Sequence, residues 1–228
     1  MISLYELSLL ARAAYESSPT VEGWICTSTR AGGMFDGFQG ATFTKGQQTV
    51  VAFRGTTGSA SDVVADLKLG VGMNTSHFSE AEEFVNGCGS AAPLVCGHSL
   101  GGAIAQIVGN RRSLKFATFN APGVAVVASR NMLDATPGML ALRLGGAAVS
   151  MMRHPFQAAR DIAATFNRVT GVNVCLAADV VSAIGVHYGN VVRIPGTGSN
   201  PLSQHGIDTV VQVLATNPVG RLDIDALG

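Results

Sequence analysis

Apolar and polar positions change period several times along this chain, and the changes mark out its elements. Leu4, Leu7, Leu10, Ala11 and Ala14 recur at helical spacing behind Ser3, with Glu6 three residues after the serine. That is a capping box opening an amphipathic helix that ends near Tyr15. Residues 24–27, 41–44 and 48–53 read as strands, with Lys45-Gly46 turning the last two into a hairpin. Residues 59–69 read as a helix with Val63, Val64 and Leu67 on one face, and Ser79 as the cap of a short helix through Phe84 and Val85. Residues 93–96 form a short apolar run suited to a buried strand, and residues 103–108 read as the opening of a helix. A strand over 115–119 ends at the turn Asn120-Ala121-Pro122-Gly123. Strands over 172–176 and 191–194 and a helix over 209–214 complete the pattern.

Residues 124–170 are apolar and mostly helical, broken at Pro137-Gly138, Gly145-Gly146 and Pro155. They read as a helical cap over the site or the sheet. A second reading is an interfacial lid that meets lipid through Met139, Leu140, Leu142, Leu144, Met151 and Met152. Strands and helices in this order predict an α/β fold, and neither a repeat nor a linker marks a second domain. Residues 1–228 are therefore expected to form one domain, with the helical insertion at about 124–170.

Composition narrows the function classes. The chain has 228 residues, 47% of them hydrophobic, enough for a sizeable core. Only 13% are charged and the formal net charge is zero, so nothing in the sequence suggests nucleic-acid binding, and a neutral or amphiphilic substrate fits better. Cys26, Cys88, Cys96 and Cys175 lack metal-ligand spacing and are expected to be core thiols in a reducing compartment. The N-terminal stretch has no basic region and carries Glu6 early, so it is not read as a signal peptide. No run reaches the roughly 18 uncharged apolar residues of a membrane span.

The chemistry centres on Gly97-His98-Ser99-Leu100-Gly101-Gly102, a G-x-S-x-G run between a predicted strand and a predicted helix. Strand, sharp turn and helix are the context of a nucleophile elbow, which lifts a serine hydroxyl out of the sheet. Gly97 and Gly101 allow strand and helix to approach, and the helix N-terminus offers N–H groups where negative charge develops during acyl transfer. Such a site needs a second N–H donor from a loop after an early strand. Phe53-Arg54-Gly55-Thr56 stands there, with Thr56 as the donor.

A serine hydroxyl also needs a base, and the base needs an acid to fix its tautomer. Downstream of Ser99, His205 lies on a loop after the last strand; His187 is a tighter alternative, and His154 reads as a surface or packing residue. Asp179 lies at a strand end in apolar surroundings, where a charge needs a partner. Asp161 and Asp208 are the weaker acids, and His98 reads as a packing group in the elbow.

In order along the chain, these segments resemble the class 3 lipase family of α/β-hydrolases. The similarity runs through Ala13-Ala14-Tyr15, residues 51–56 with Asp62 and Asp66-Leu67 behind them, the elbow, Thr118-Phe119-Asn120-Ala121-Pro122 and Asp179-Val180-Val181. The elbow and the Phe-Arg-Gly-Thr segment are the specific parts, and His205-Gly206-Ile207-Asp208 looks like a bacterial branch. The resemblance implies an α/β-hydrolase fold, with Ser99 as nucleophile, Asp179 as acid, His205 as base, and the N–H groups of Thr56 and Leu100 as the oxyanion hole. It implies hydrolysis of lipid acyl esters without metal or organic cofactor, and transient contact with a membrane surface. A phospholipase A-type antibacterial effector is the alternative, made in the bacterial cytoplasm, exported without a signal and held in check by an immunity protein. A catalytically inactive binding module is the third reading.

Overall fold

The structure, a computed structural model, describes residues 1–32, 38–55, 75–125, 170–198 and 200–227. The predicted helix over 59–69 and nearly all of the predicted insertion lie outside them. Among the described residues, seven strands form one sheet whose spatial order follows the sequence: β1 (Ile25–Arg30), β2 (Gly40–Lys45), β3 (Gln48–Phe53), β4 (Leu94–His98), β5 (Phe116–Phe119), β6 (Gly171–Leu176) and β7 (Asn190–Ile194). β1, β2 and β3 pair antiparallel, and β3 through β7 pair parallel. Gly46, at φ 59°, takes the left-handed conformation that the tight β2–β3 turn requires.

Side chains alternate across this sheet with period two. Val50 and Ala52 of β3 face one core, Val51 and Phe53 the other. The strand order steps one way through β3, β4 and β5, and the right-handed rule for parallel crossovers places the described helices of these two connections on one face. That face carries α2 (Thr75–Asn86) and α3 (Leu100–Arg112), which pack Phe78, Ala81, Val85, Ile104 and Ile107 against Val51, Phe53, Val95 and Phe116.

Helices that precede β1 and follow β7 pack on the opposite face. α1 (Leu4–Ala13) lies there with α5 (Ile207–Thr216), which follows the short α4 (Pro201–Gln204). Leu4, Leu7 and Leu10 are fully buried, each burial favouring the fold by about 1.5–3 kcal/mol. The predicted capping box is present: Glu6 N–H donates to Ser3 Oγ at 3.2 Å, and Ser3 N–H to Glu6 Oε2 at 3.1 Å. The chain ends are tied together where Leu4 N–H donates to the Leu222 carbonyl at 2.9 Å and Ile2 N–H to Asp223 Oδ2 at 2.9 Å.

Two expectations are corrected. Ser79 does not cap α2, which begins at Thr75; Phe78 already belongs to the buried stripe that continues at Ala81 and Val85, so the periodicity starts before the serine. Of the four expected core thiols, Cys96 and Cys175 are buried, but Cys26 on the edge strand and Cys88 in the turn after α2 are partly exposed. Among the described residues, no helix is long and apolar enough to cross a membrane.

Candidate active site

The parallel strands β4, β5 and β6 end at the same edge of the sheet, and Ser99, Asn120 and Asp179 follow them directly or within a short turn. Ser99 joins β4 to α3 at φ 55° and ψ −126°, a conformation that costs a non-glycine residue about 1–3 kcal/mol. It is held from both sides: Ser99 N–H donates to the Phe119 carbonyl and Ala103 N–H to the Ser99 carbonyl, both at 3.1 Å. The glycines make this turn sterically possible. A Cβ on Gly97 would stand 2.8 Å from the Gly102 nitrogen, and one on Gly102 would stand 2.5 Å from Ala121 Cβ.

The end of β3 passes equally close. A Cβ on Gly55 would lie 2.7 Å from the His98 carbonyl oxygen and 3.1 Å from Ser99 Cβ. Gly55 is thus packed against the elbow; Thr56, the expected oxyanion donor after it, lies outside the described residues. Leu100, the other expected donor, is the first residue of α3, where backbone N–H groups have no partner within the helix.

Asp179 sits in the turn after β6, its N–H on the Leu176 carbonyl at 3.0 Å. Its carboxylate accepts from Ser182 N–H at 2.8 Å and from Val181 N–H at 3.3 Å. His205, between α4 and α5, donates Nδ1–H to Asp179 Oδ1 at 2.9 Å. Its Nε2 stands 2.8 Å from Ser99 Oγ. All three are buried, at 1% exposure for Ser99, 2% for Asp179 and 6% for His205. Burial alone would raise the Asp179 pKa, but the hydrogen bonds from His205 and Ser182 outweigh it and hold the carboxyl below its ordinary value. An ionised carboxylate only accepts, so the proton of His205 sits on Nδ1 and the Nε2 lone pair faces the serine hydroxyl. A hydroxyl so placed can pass its proton to the imidazole as its oxygen attacks an electrophile.

The alternatives fall elsewhere. His187 Nε2 donates to the Ala121 carbonyl at 2.9 Å, and burial pushes the pKa of its imidazole down. Asp208 is on the first turn of α5 and reaches Arg12 at 3.8 Å. His154 and Asp161 lie outside the described residues.

A model of the phospholipase-like family described as "Tle-like phospholipase domain" matches residues 7–183. The chain belongs to that family. No curated protein matches the chain. The match to the Tle-like phospholipase domain runs from α1 through the elbow to Asp179 and Ser182 and stops before β7 and His205. It establishes a phospholipase-like hydrolase lineage; the resemblance to class 3 lipases rests on the motifs alone.

Three side chains of this Tle-like domain were missed or undervalued by sequence reasoning. Asn120, at φ 46° after β5, donates Nδ2–H to the Gln204 carbonyl at 2.7 Å and to the His205 carbonyl at 3.2 Å. Its Oδ1 accepts from Leu176 N–H at 2.8 Å, so one amide ties the His205 loop to the strand before Asp179. An asparagine between a strand and Ala-Pro-Gly tolerates the left-handed conformation, and that was the available signal. His98 does more than pack: its Nδ1 lies 2.8 Å from Tyr15 Oη and its Nε2 2.6 Å from the His205 carbonyl oxygen. Tyr15, read only as a helix end, also accepts from Gly55 N–H at 3.1 Å. Among the described residues, no group of three or more His, Cys, Asp or Glu side chains stands ready to hold a metal ion.

Proposed function

We propose that this protein is a serine-dependent phospholipase that cleaves an acyl ester of a membrane phospholipid through an acyl-enzyme. The observation that carries it is the Ser99 Oγ–His205 Nε2–Asp179 line, with 2.8 Å and 2.9 Å separations, at the C-terminal edge of the sheet of a phospholipase-like domain. Ser99 Oγ attacks the ester carbonyl carbon while His205 Nε2 takes its proton. Asp179 stabilises the imidazolium through Nδ1–H. The oxyanion of the tetrahedral intermediate meets the N–H groups of Leu100 and Thr56. The carbon–oxygen bond to the glycerol then breaks, and His205 protonates the departing lysophospholipid alkoxide. Water, losing a proton to His205, attacks the acyl-enzyme; fatty acid leaves and Ser99 recovers its proton.

Family membership supports phospholipid over triacylglycerol or soluble esters as the substrate, with the membrane surface as the proposed place of action. A role as an antibacterial effector, with signal-independent export and an immunity protein in the producing cell, belongs to the same proposal. Fatty-acid release from phosphatidylcholine vesicles, beside triolein emulsion and short-chain esters, tests it. The protein should release fatty acid from the vesicles, and Ser99→Ala should not. Hydrolysis of short-chain esters with inert vesicles would reduce the function to an esterase. Equal vesicle hydrolysis by Ser99→Ala would overturn it.

A further inference from the structure

The hydrogen bonds around His98 have a single consistent direction. The His205 carbonyl only accepts, so His98 Nε2, 2.6 Å away, carries the proton. In a neutral imidazole Nδ1 is then bare and accepts from the Tyr15 hydroxyl at 2.8 Å. The Tyr15 oxygen in turn accepts from Gly55 N–H at 3.1 Å. The chain reads Gly55 N–H to Tyr15 O–H to His98, and His98 N–H to the His205 carbonyl. Burial, and then the neighbouring His205 imidazole, push the His98 pKa down to about 3, which keeps the ring neutral and the order fixed.

The ends of this chain are informative. Gly55 lies two residues beyond the end of β3 and immediately precedes the expected oxyanion donor Thr56. His205 is the residue whose Nε2 faces Ser99. We propose that Tyr15 and His98 are a positioning pair, setting the separation between the oxyanion strand and the backbone of the base while touching neither substrate nor reacting atoms. This rests on the function proposed for Ser99 and His205. The His205 carbonyl is gripped from a second side by Asn120, so the imidazole is aimed by its own backbone as well as by Asp179. Tyr15 is brought to the site by α1, from the chain terminus that covers the far face of the sheet. An error of about 1 Å in such an arrangement can cost on the order of a hundredfold in rate.

The test measures kcat and KM on a soluble short-chain ester, with thermal unfolding, for the wild type, Tyr15→Phe, His98→Gln, His98→Leu and Ser99→Ala. Tyr15→Phe keeps the ring and loses the hydroxyl. It should lower kcat per folded molecule about tenfold with KM nearly unchanged, alongside a modest fall in Tm from the two buried polar groups that lose their partner. His98→Leu should cost about a hundredfold, and His98→Gln, whose amide still reaches the His205 carbonyl, should recover much of that loss. A merely structural pair would lower the folded fraction and leave kcat per folded molecule intact. Wild-type kcat in Tyr15→Phe would overturn the inference, as would a folded His98→Gln no faster than a folded His98→Leu. If the His98 variants fail to fold, Tyr15→Phe decides alone. Retained activity in Ser99→Ala would instead sink the function proposed above, separating the two failures.

Discussion

Gly101 lies against the end of β3 so closely that a Cβ there would stand 2.7 Å from the carbonyl carbon of Phe53 and as close to that of Arg54. Both obstacles are main-chain atoms, of the last residue of buried β3 and of the residue after it, so neither can rotate away as a side chain would. Gly101→Ala is therefore expected to force β3 and α3 apart, at a cost of about 1–3 kcal/mol. Because β3 leads to Gly55, ester hydrolysis should fall further than stability does. Thermal unfolding and initial rates on the same preparation check this.

Asp179→Asn preserves shape but replaces one carboxylate oxygen with an amide donor. The amide can favour the other tautomer of His205 and turn a proton, instead of a lone pair, toward Ser99. By analogy with the same change in other Ser-His-Asp sites, kcat should fall by roughly 10⁴-fold while the fold persists. A loss under tenfold, with unfolding unchanged, would mean that Asp179 does not set the tautomer.

His98 and His187 share a consequence for stability. Burial lowers the pKa of both, His98 to about 3, whereas in the unfolded chain each takes up a proton near the ordinary 6.5. Below that value the unfolded state binds more protons, so stability falls as pH drops, by at most about 1.4 kcal/mol per pH unit for each histidine. The loss from His98 continues to about pH 3. Asp179 acts lower: its depressed pKa supplies stability that is complete above the ordinary carboxylate range and lost as pH falls through the folded value. Acid destabilisation should thus begin near pH 6.5, above the carboxylate range. His98→Gln should flatten the Tm–pH curve between about pH 6 and 4 relative to the wild type.

His187→Ala should separate stability from chemistry. It removes a donor from the buried Ala121 carbonyl and leaves a cavity, which should cost about 1–3 kcal/mol. The folded variant should keep kcat within a few-fold, because His187 is bonded to Ala121 and not to Ser99. A collapse of kcat in folded protein would point to His187 as the base.

Much of this was legible in the sequence because local signals and the fold agree. Ser3 and Glu6 fixed the start of α1, the hairpin glycine joined β2 to β3, and the glycines around Ser99 marked a turn that only small residues permit. His205 and Asp179 emerged by elimination among few titratable residues, and they meet within hydrogen-bonding distance. What stayed hidden depends on contacts between distant segments. His98 is flanked in sequence by apolar and small residues, which suggests packing; its partners Tyr15 and His205 are 83 and 107 residues away. Asn120 likewise gains meaning only when β6 and the His205 loop close around it. Ser79 misled because a good capping residue inside a helix looks the same as one at its start.

The central claim is that Ser99 is the nucleophile, and covalent trapping tests it most directly. After incubation with a fluorophosphonate, peptide mapping by mass spectrometry should find one adduct, on Ser99, forming in step with the loss of phosphatidylcholine hydrolysis. Ser99→Ala should take up none. An unmodified Ser99 in protein whose hydrolysis the reagent has abolished, or hydrolysis that persists after Ser99 is fully modified, would contradict the account.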